Sequence, residues 1–205
     1  MSKIKAIIFD FGDVFINLDK EGAMKNALNL FELEEFPEEL FSVNALYEQG
    51  LISTDEFLEF YLENFPKLSK QQIIDAWNYI LKDFPSERLE FIKDLASQQN
   101  HKRILLSNTN EMHIQWIIEQ VPFYEEFKSC FDAFYLSHEI GMRKPNEDIY
   151  NFVLEEHDLS AESCLFIDDT KDNTDTAHSL GIHVWNIDET KEDIIDLFTI
   201  NSHLF

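Results

Sequence analysis

Basic residues are scarce in this chain: 16 Lys and Arg stand against 40 Asp and Glu, for a formal net charge of −24. That balance argues against nucleic acid as a partner, because a phosphate backbone selects for Lys and Arg. It argues equally against an anionic membrane surface. An anionic substrate would need a local positive centre, from a few cations or a metal. Glycine and proline number five each, too few for long flexible linkers. Cysteine occurs twice, at Cys130 and Cys164, without CxxC spacing, and both are expected as buried thiols. No stretch approaches the roughly 20 apolar residues that span a bilayer. Asp10 interrupts the only early apolar run, so no signal peptide is expected and the protein is placed in the cytoplasm.

What is present is enough apolar material for a core. The 205 residues are 44% hydrophobic and include 19 Phe, read here as packing residues. The length suits one compact domain with a modest insertion. The short β-branched run ending at Phe9 reads as a buried parallel strand that delivers Asp10 to its C-terminal edge. In open α/β sheets that edge is where ligands bind.

After this strand the pattern is helical to about Asp83. Met24, Ala27, Leu28 and Phe31 mark one face, and Leu40, Val43 and Leu46 a second. Ser53 with Glu56 and Ser69 with Gln72 have capping-box spacing. Beyond Pro85 helices and strands alternate, with strands expected at Arg103–Leu106, Ala133–Leu136, Cys164–Ile167 and Ile182–Trp185, and a closing helix over Glu189–Phe198. The alternation predicts an α/β fold: a doubly wound parallel sheet with a Rossmann-like core and an inserted four-helix cap after the first strand. The core is assigned to residues 1–14 and 85–205, the helical cap to 15–84.

Four expected strand ends carry reactive groups: Asp10, Ser107-Asn108, the loop reaching Lys144, and Asp168-Asp169. Adjacent carboxylates repel unless a cation or proton lies between them, and a hard divalent ion takes such oxygen ligands together with phosphate. The segments Ile7-Ile8-Phe9-Asp10-Phe11-Gly12-Asp13-Val14, Leu105-Leu106-Ser107-Asn108-Thr109-Asn110, Ser137 to Pro145 around Lys144, and Leu165 to Asn173 resemble, in order, the four motifs of the haloacid dehalogenase-like hydrolases. Within that superfamily the chain looks most like α-glucose-1-phosphatase and the phosphatase domain fused to some epoxide hydrolases.

The resemblance implies a Mg²⁺-dependent phosphatase. Asp10 would be the nucleophile, forming an aspartyl phosphate. Mg²⁺ would be held by Asp10, the Gly12 carbonyl and Asp169, with Asp168 acting through water. Ser107, with backbone N–H groups at the following helix start, would bind phosphoryl oxygens, and Lys144 would offset their charge. Asn108 and Asn173 would support their loops. The partner would be a small phosphorylated metabolite, a hexose 1-phosphate first among them, and the chain a monomer or weak homodimer.

The resemblance is incomplete at Gly12, where related phosphatases carry an Asp that protonates the leaving group. Asp13 is adjacent, but a one-residue shift points its side chain elsewhere, so hydrogen bonding within the loop is expected of it. Two other readings compete. Metal-independent 2-haloacid dehalogenases share glycine at this position, but their fourth motif lacks the paired Asp. A non-catalytic member would tolerate the missing acid, but would have no need for Asp10, Ser107, Lys144, Asp168 and Asp169 together. His138 and His113 are read as surface or packing residues and Trp77 as core packing by its helical spacing, while Tyr79, Tyr47, Glu48 and Tyr61 are looser candidates for substrate contact from the cap.

Overall fold

The computed structural model describes residues 4–205. Five parallel strands lie in the order β3-β2-β1-β4-β5: β1 Ala6–Phe9, β2 Lys102–Ser107, β3 Ala133–Leu136, β4 Cys164–Asp168 and β5 His183–Asn186. β1 is central and pairs with β2 on one side and β4 on the other. The strand order therefore reverses at β1, which places the crevice of a doubly wound sheet beside Asp10.

Residue alternation along β1 sorts the core into two layers. Ile7 and Phe9 pack with α5 (Ser86–Gln98), α6 (Glu111–Gln120) and α7 (Tyr124–Ser129). Ala6 and Ile8 pack with α9 (Glu147–Glu156) and α10 (Lys171–Ser179) on the other face. Both faces are covered, which is why these strands read as continuous apolar runs. The phenylalanines concentrate in the first layer: Phe127 lies 4.9 Å from Phe15, 5.0 Å from Phe84 and Phe131, and 5.2 Å from Phe11.

Between β1 and α5 come α1 (Lys20–Phe31), α2 (Glu38–Glu48), α3 (Thr54–Asn64) and α4 (Lys70–Asn78). Ser53 and Ser69 both close the predicted capping boxes. The chain leaves and returns through an antiparallel bridge, Leu18 to Leu81, flanked by Asn17 N–H to Asp83 O at 2.9 Å. The inserted helices enclose their own apolar centre of Phe31, Leu40, Tyr47, Phe57, Tyr61 and Ile73, and Met112 of α6 is sunk into it.

Three sequence expectations need correction. Met24 and Leu46 were assigned to buried helix faces but are 41% and 39% exposed, and Tyr47 takes the buried place in α2. The third motif is not simply a loop, since Ser137–Ile140 forms the short helix α8. No helix spans Glu189–Phe198; instead a 3₁₀ turn at Ile194–Asp196 leads into α11, Leu197–Ile200. Asp188 accepts from Thr190 N–H, Glu192 from Asp188 N–H, and Asp193 from Ile195 N–H. These local bonds compete with the helical ladder. No helix of the described residues is long and apolar enough to cross a membrane.

Gly50 sits where the end of α2 meets α8, with φ +65° and room for no side chain: a Cβ would lie 2.0 Å from the His138 carbonyl oxygen. Gly141, at φ +71°, faces open space. Gly50→Ala is therefore expected to destabilise by more than Gly141→Ala, whose cost is backbone strain alone, on the order of 1–3 kcal/mol. Urea denaturation of the two variants measures the difference, and equal losses would show that the α2–α8 approach is not tight.

Candidate active site

Asp10 leaves β1 with its N–H donating to Ile167 O at 2.9 Å, which fixes the carboxylate at the sheet edge beside β4. Lys144 reaches the same point from beyond β3 and is fully buried. Its ammonium lies 2.8 Å from Asp10 Oδ1 and 2.5 Å from Asp168 Oδ2. Asn108 holds the Lys144 backbone from both sides: its Nδ2 donates to Lys144 O at 2.8 Å, and its Oδ1 accepts from Lys144 N–H at 2.9 Å. Asn173 donates to both carboxylate oxygens of Asp168 at 3.0 Å, and Thr170 N–H donates to Oδ1 at 2.8 Å. Tyr150 in turn fixes Asn173 through its carbonyl at 2.9 Å.

Seven of the residues singled out in the sequence, Asp10, Gly12, Ser107, Asn108, Lys144, Asp169 and Asn173, line one cavity of about 500 Å³. Asp168 lies behind it, fully buried. Asp13 is not among the lining residues. It is held at φ 54° with Oδ1 accepting from Leu18 N–H at 2.8 Å and Oδ2 2.7 Å from Lys20 Nζ. Above Gly12 sits Leu18, whose Cδ1 would be 2.7 Å from a Cβ built there. An apolar side chain thus covers the point at which an acid is missing.

At the helix start after β2 three N–H groups already have partners: Thr109 N–H donates to Ser137 Oγ, Met112 N–H to Tyr47 Oη and His113 N–H to the capping Asn110 side chain. The Ser107 hydroxyl is only 3.5 Å from Asn108 O, too far to hold it, so it can turn to a ligand.

Sequence reading missed Lys20. It opens α1, and its ammonium lies 2.5 Å from Asp169 Oδ2 as well as against Asp13. A cation in the first turn of a helix opposes the helix dipole, and that anomaly was the available signal. Also missed was the Glu48–Arg143 pair at 2.9 Å, which joins α2 to the third motif. Arg143 Nε is buried without a hydrogen-bond partner among the described residues.

The electrostatics follow from burial and crowding. Burial pushes the Asp10 carboxyl up to about 7; Lys144 pulls it down, while Asp168 and Asp169 push it further up. Burial also raises Asp169, against the pull of Lys20. For Lys144 burial acts downward, but Asp10 and Asp168 outweigh it and hold the ammonium above its ordinary range. Asp10, Asp168 and Asp169 can each offer an oxygen, all within 4.8 Å of one another. An oxygen-only set of carboxylates fits a hard divalent cation of the Mg²⁺ kind.

A family model described as haloacid dehalogenase-like hydrolase matches residues 4–181. The D-ribitol-5-phosphate phosphatase of Bacteroides thetaiotaomicron is 26% identical over 192 residues, 89% of this chain and 91% of that protein. The phosphorylated carbohydrates phosphatase of Thermotoga maritima is 28% identical over 123 residues, 59% of this chain and 53% of that protein. A haloacid dehalogenase family enzyme of Bacteroides thetaiotaomicron, solved as a magnesium complex, superposes with a TM-score of 0.84 at 33% identity, covering 96% of this chain and 98% of that one.

His113 links the two parts of the molecule at this cavity. Its Nε2 lies 3.1 Å from Trp77 O in α4 and its Nδ1 3.2 Å from Asn110 Nδ2, so the neutral ring donates to the carbonyl and accepts from the amide. Burial lowers its pKa from 6.5 to about 4. The unfolded chain binds this proton first, so stability should fall as pH drops from 6.5 towards 4, by on the order of 2–3 kcal/mol. Denaturation of wild type and His113→Gln at several pH values isolates the effect, and identical pH slopes would remove His113 as its source.

Proposed function

The chain belongs to the haloacid dehalogenase-like hydrolase family, and from that premise we propose that it is a Mg²⁺-dependent phosphomonoesterase in which Asp10 carries the phosphoryl group. The observation that carries this reading is the Lys144 ammonium between Asp10 and Asp168, in one cavity with Asp169 and Ser107. The phosphatases among its relatives support it from a separate direction.

A carboxylate oxygen of Asp10 attacks phosphorus, and the bond from phosphorus to the ester oxygen breaks. The departing oxyanion takes a proton from water. Water then attacks the aspartyl phosphate, releasing inorganic phosphate and restoring the carboxylate. Lys144 and the Ser107 hydroxyl bind the phosphoryl oxygens, and Asn108 and Asn173 hold the groups that do so. Asp10, the Gly12 carbonyl and Asp169 would hold Mg²⁺ directly, and Asp168 through water. When bound, the ion offsets the repulsion between these carboxylates and a phosphate dianion. Residues 15–84 act as a cap that excludes water and selects the organic group.

No carboxyl occupies the place of the leaving-group acid, since Gly12 lies under Leu18 and Asp13 is tied to Leu18 N–H and Lys20. Loss of a general acid typically costs about 10²–10⁴ in rate. The favoured esters are therefore those whose oxygen leaves with little protonation: an anomeric hydroxyl, a phenol or an acyl group. Hexose 1-phosphates meet that condition. Ribitol 5-phosphate and other phosphorylated carbohydrates, for which two relatives are named, are primary or secondary alkyl esters that do not all meet it, and they belong in the test as the contrasting arm.

Turnover of a phosphometabolite panel should require Mg²⁺, vanish with EDTA, and fall by at least about 10³-fold in Asp10→Asn. Halide release that survives EDTA would instead mark a dehalogenase. Across a series of aryl and alkyl phosphates kcat/KM should fall steeply as leaving-group pKa rises. A flat series with chemistry rate-limiting would show that some other group donates the proton.

A further inference from the structure

The catalytic cavity continues beyond the phosphate site. Lys20, Glu48, Ile80, His113 and Arg143 line it and also line a second chamber of about 480 Å³ among the inserted helices. That volume lies in the range of small-molecule sites. The second chamber is the more apolar of the two. Trp77, Phe36 and Phe41 give it aromatic walls, and Ala23 and Ala45 leave the space between them open. Trp77 is held at 5.1 Å from Phe57 and 4.9 Å from Tyr61, so its indole is a fixed surface rather than a mobile one. Aromatic faces of this kind pair with another flat ring in stacked or edge-on contact.

Two independent features converge on one substrate class. Leu18 covers Gly12, where a leaving-group acid is missing, and the absence of that acid favours leaving groups that need little protonation. Lys20, Glu48, His113 and Arg143 lie where the two chambers meet. Of the other polar residues lining the second, Asn44 accepts from Tyr61 and Asn110 caps α6. What remains is an aromatic and aliphatic surface that offers a polyhydroxylated ring few free partners and leaves a small acyl group unfilled space. Of the three leaving groups admitted by the chemistry, only the phenol brings an apolar ring to fill it. We propose that the second chamber is the leaving-group subsite and that the preferred substrates are aryl monophosphates, the ring lying among Trp77, Phe36 and Phe41. This rests on the phosphatase reading and narrows it.

The test separates ring binding from leaving-group acidity by comparing phenyl phosphate with 2-naphthyl phosphate, whose leaving groups are of similar acidity. In the full-length protein with Mg²⁺, kcat/KM should favour the naphthyl ester by about tenfold or more, carried mainly in KM. Ala45→Trp fills the chamber and should bring that ratio close to one. Phe41→Ala removes a wall that is 52% exposed, so folding is spared, and should lower the ratio several-fold. A ratio taken within one variant cancels any loss of folded protein, which thermal melts record separately. A wild-type ratio near one, or a ratio that neither variant changes, would overturn the proposal. Failure of the wild type to hydrolyse even acetyl phosphate would instead overturn the phosphatase reading beneath it.

Discussion

A single buried ammonium organises this protein. Lys144 is sealed from solvent between Asp10 and Asp168, and without it two carboxylates would face each other across a dry sheet edge. Breaking such a buried pair by removing one partner typically costs about 3–5 kcal/mol, because the other charge stays buried and uncompensated. The neighbouring residues serve to hold this arrangement. Asn108 fixes the Lys144 backbone by a reciprocal pair of bonds, Asn173 grips Asp168, and Tyr150 grips Asn173. The strands explain why the parts meet: β1 and β4 are hydrogen-bonded neighbours, so Asp10 and Asp168 emerge side by side.

The charge of the chain as a whole gains meaning from this centre. A protein of net charge −24 repels phosphate esters at a distance, so attraction has to be local. Lys144 lies below the site, Lys20 reaches it from the first turn of α1, and Arg143 borders it from the third motif. Lys20 also couples the inserted helices to the acids.

The fold was largely legible in the sequence because its signals are periodic. Strand runs, capping boxes at Ser53 and Ser69, and alternation after Pro85 each encode backbone geometry locally. Legibility failed where side chains bond to nearby backbone. Asp188, Glu192 and Asp193 divert the last segment out of a helix that its apolar residues alone would support. In the site, residues at strand ends were readable because topology brings all strand ends to one edge. Asp13 was readable too, from the side-chain direction that a one-residue shift imposes. Lys20, Glu48 and the Arg143 contact were not, since they depend on how the inserted helices sit over the sheet, which no local pattern encodes. The partners of two N–H groups at the helix start after β2 were unreadable for a related reason: Tyr47 and Ser137 approach from distant parts of the chain.

Met112 belongs by sequence to a sheet-flanking helix, yet its side chain completes the apolar centre of the inserted helices. The two parts of the molecule therefore share a joint rather than a border. Recombination between relatives that exchanged only the stretch between the first strand and α5 would set a foreign socket over this methionine. An exchange that preserves the fit has to carry residue 112 along with the insert, so the exchangeable unit is discontinuous in the chain.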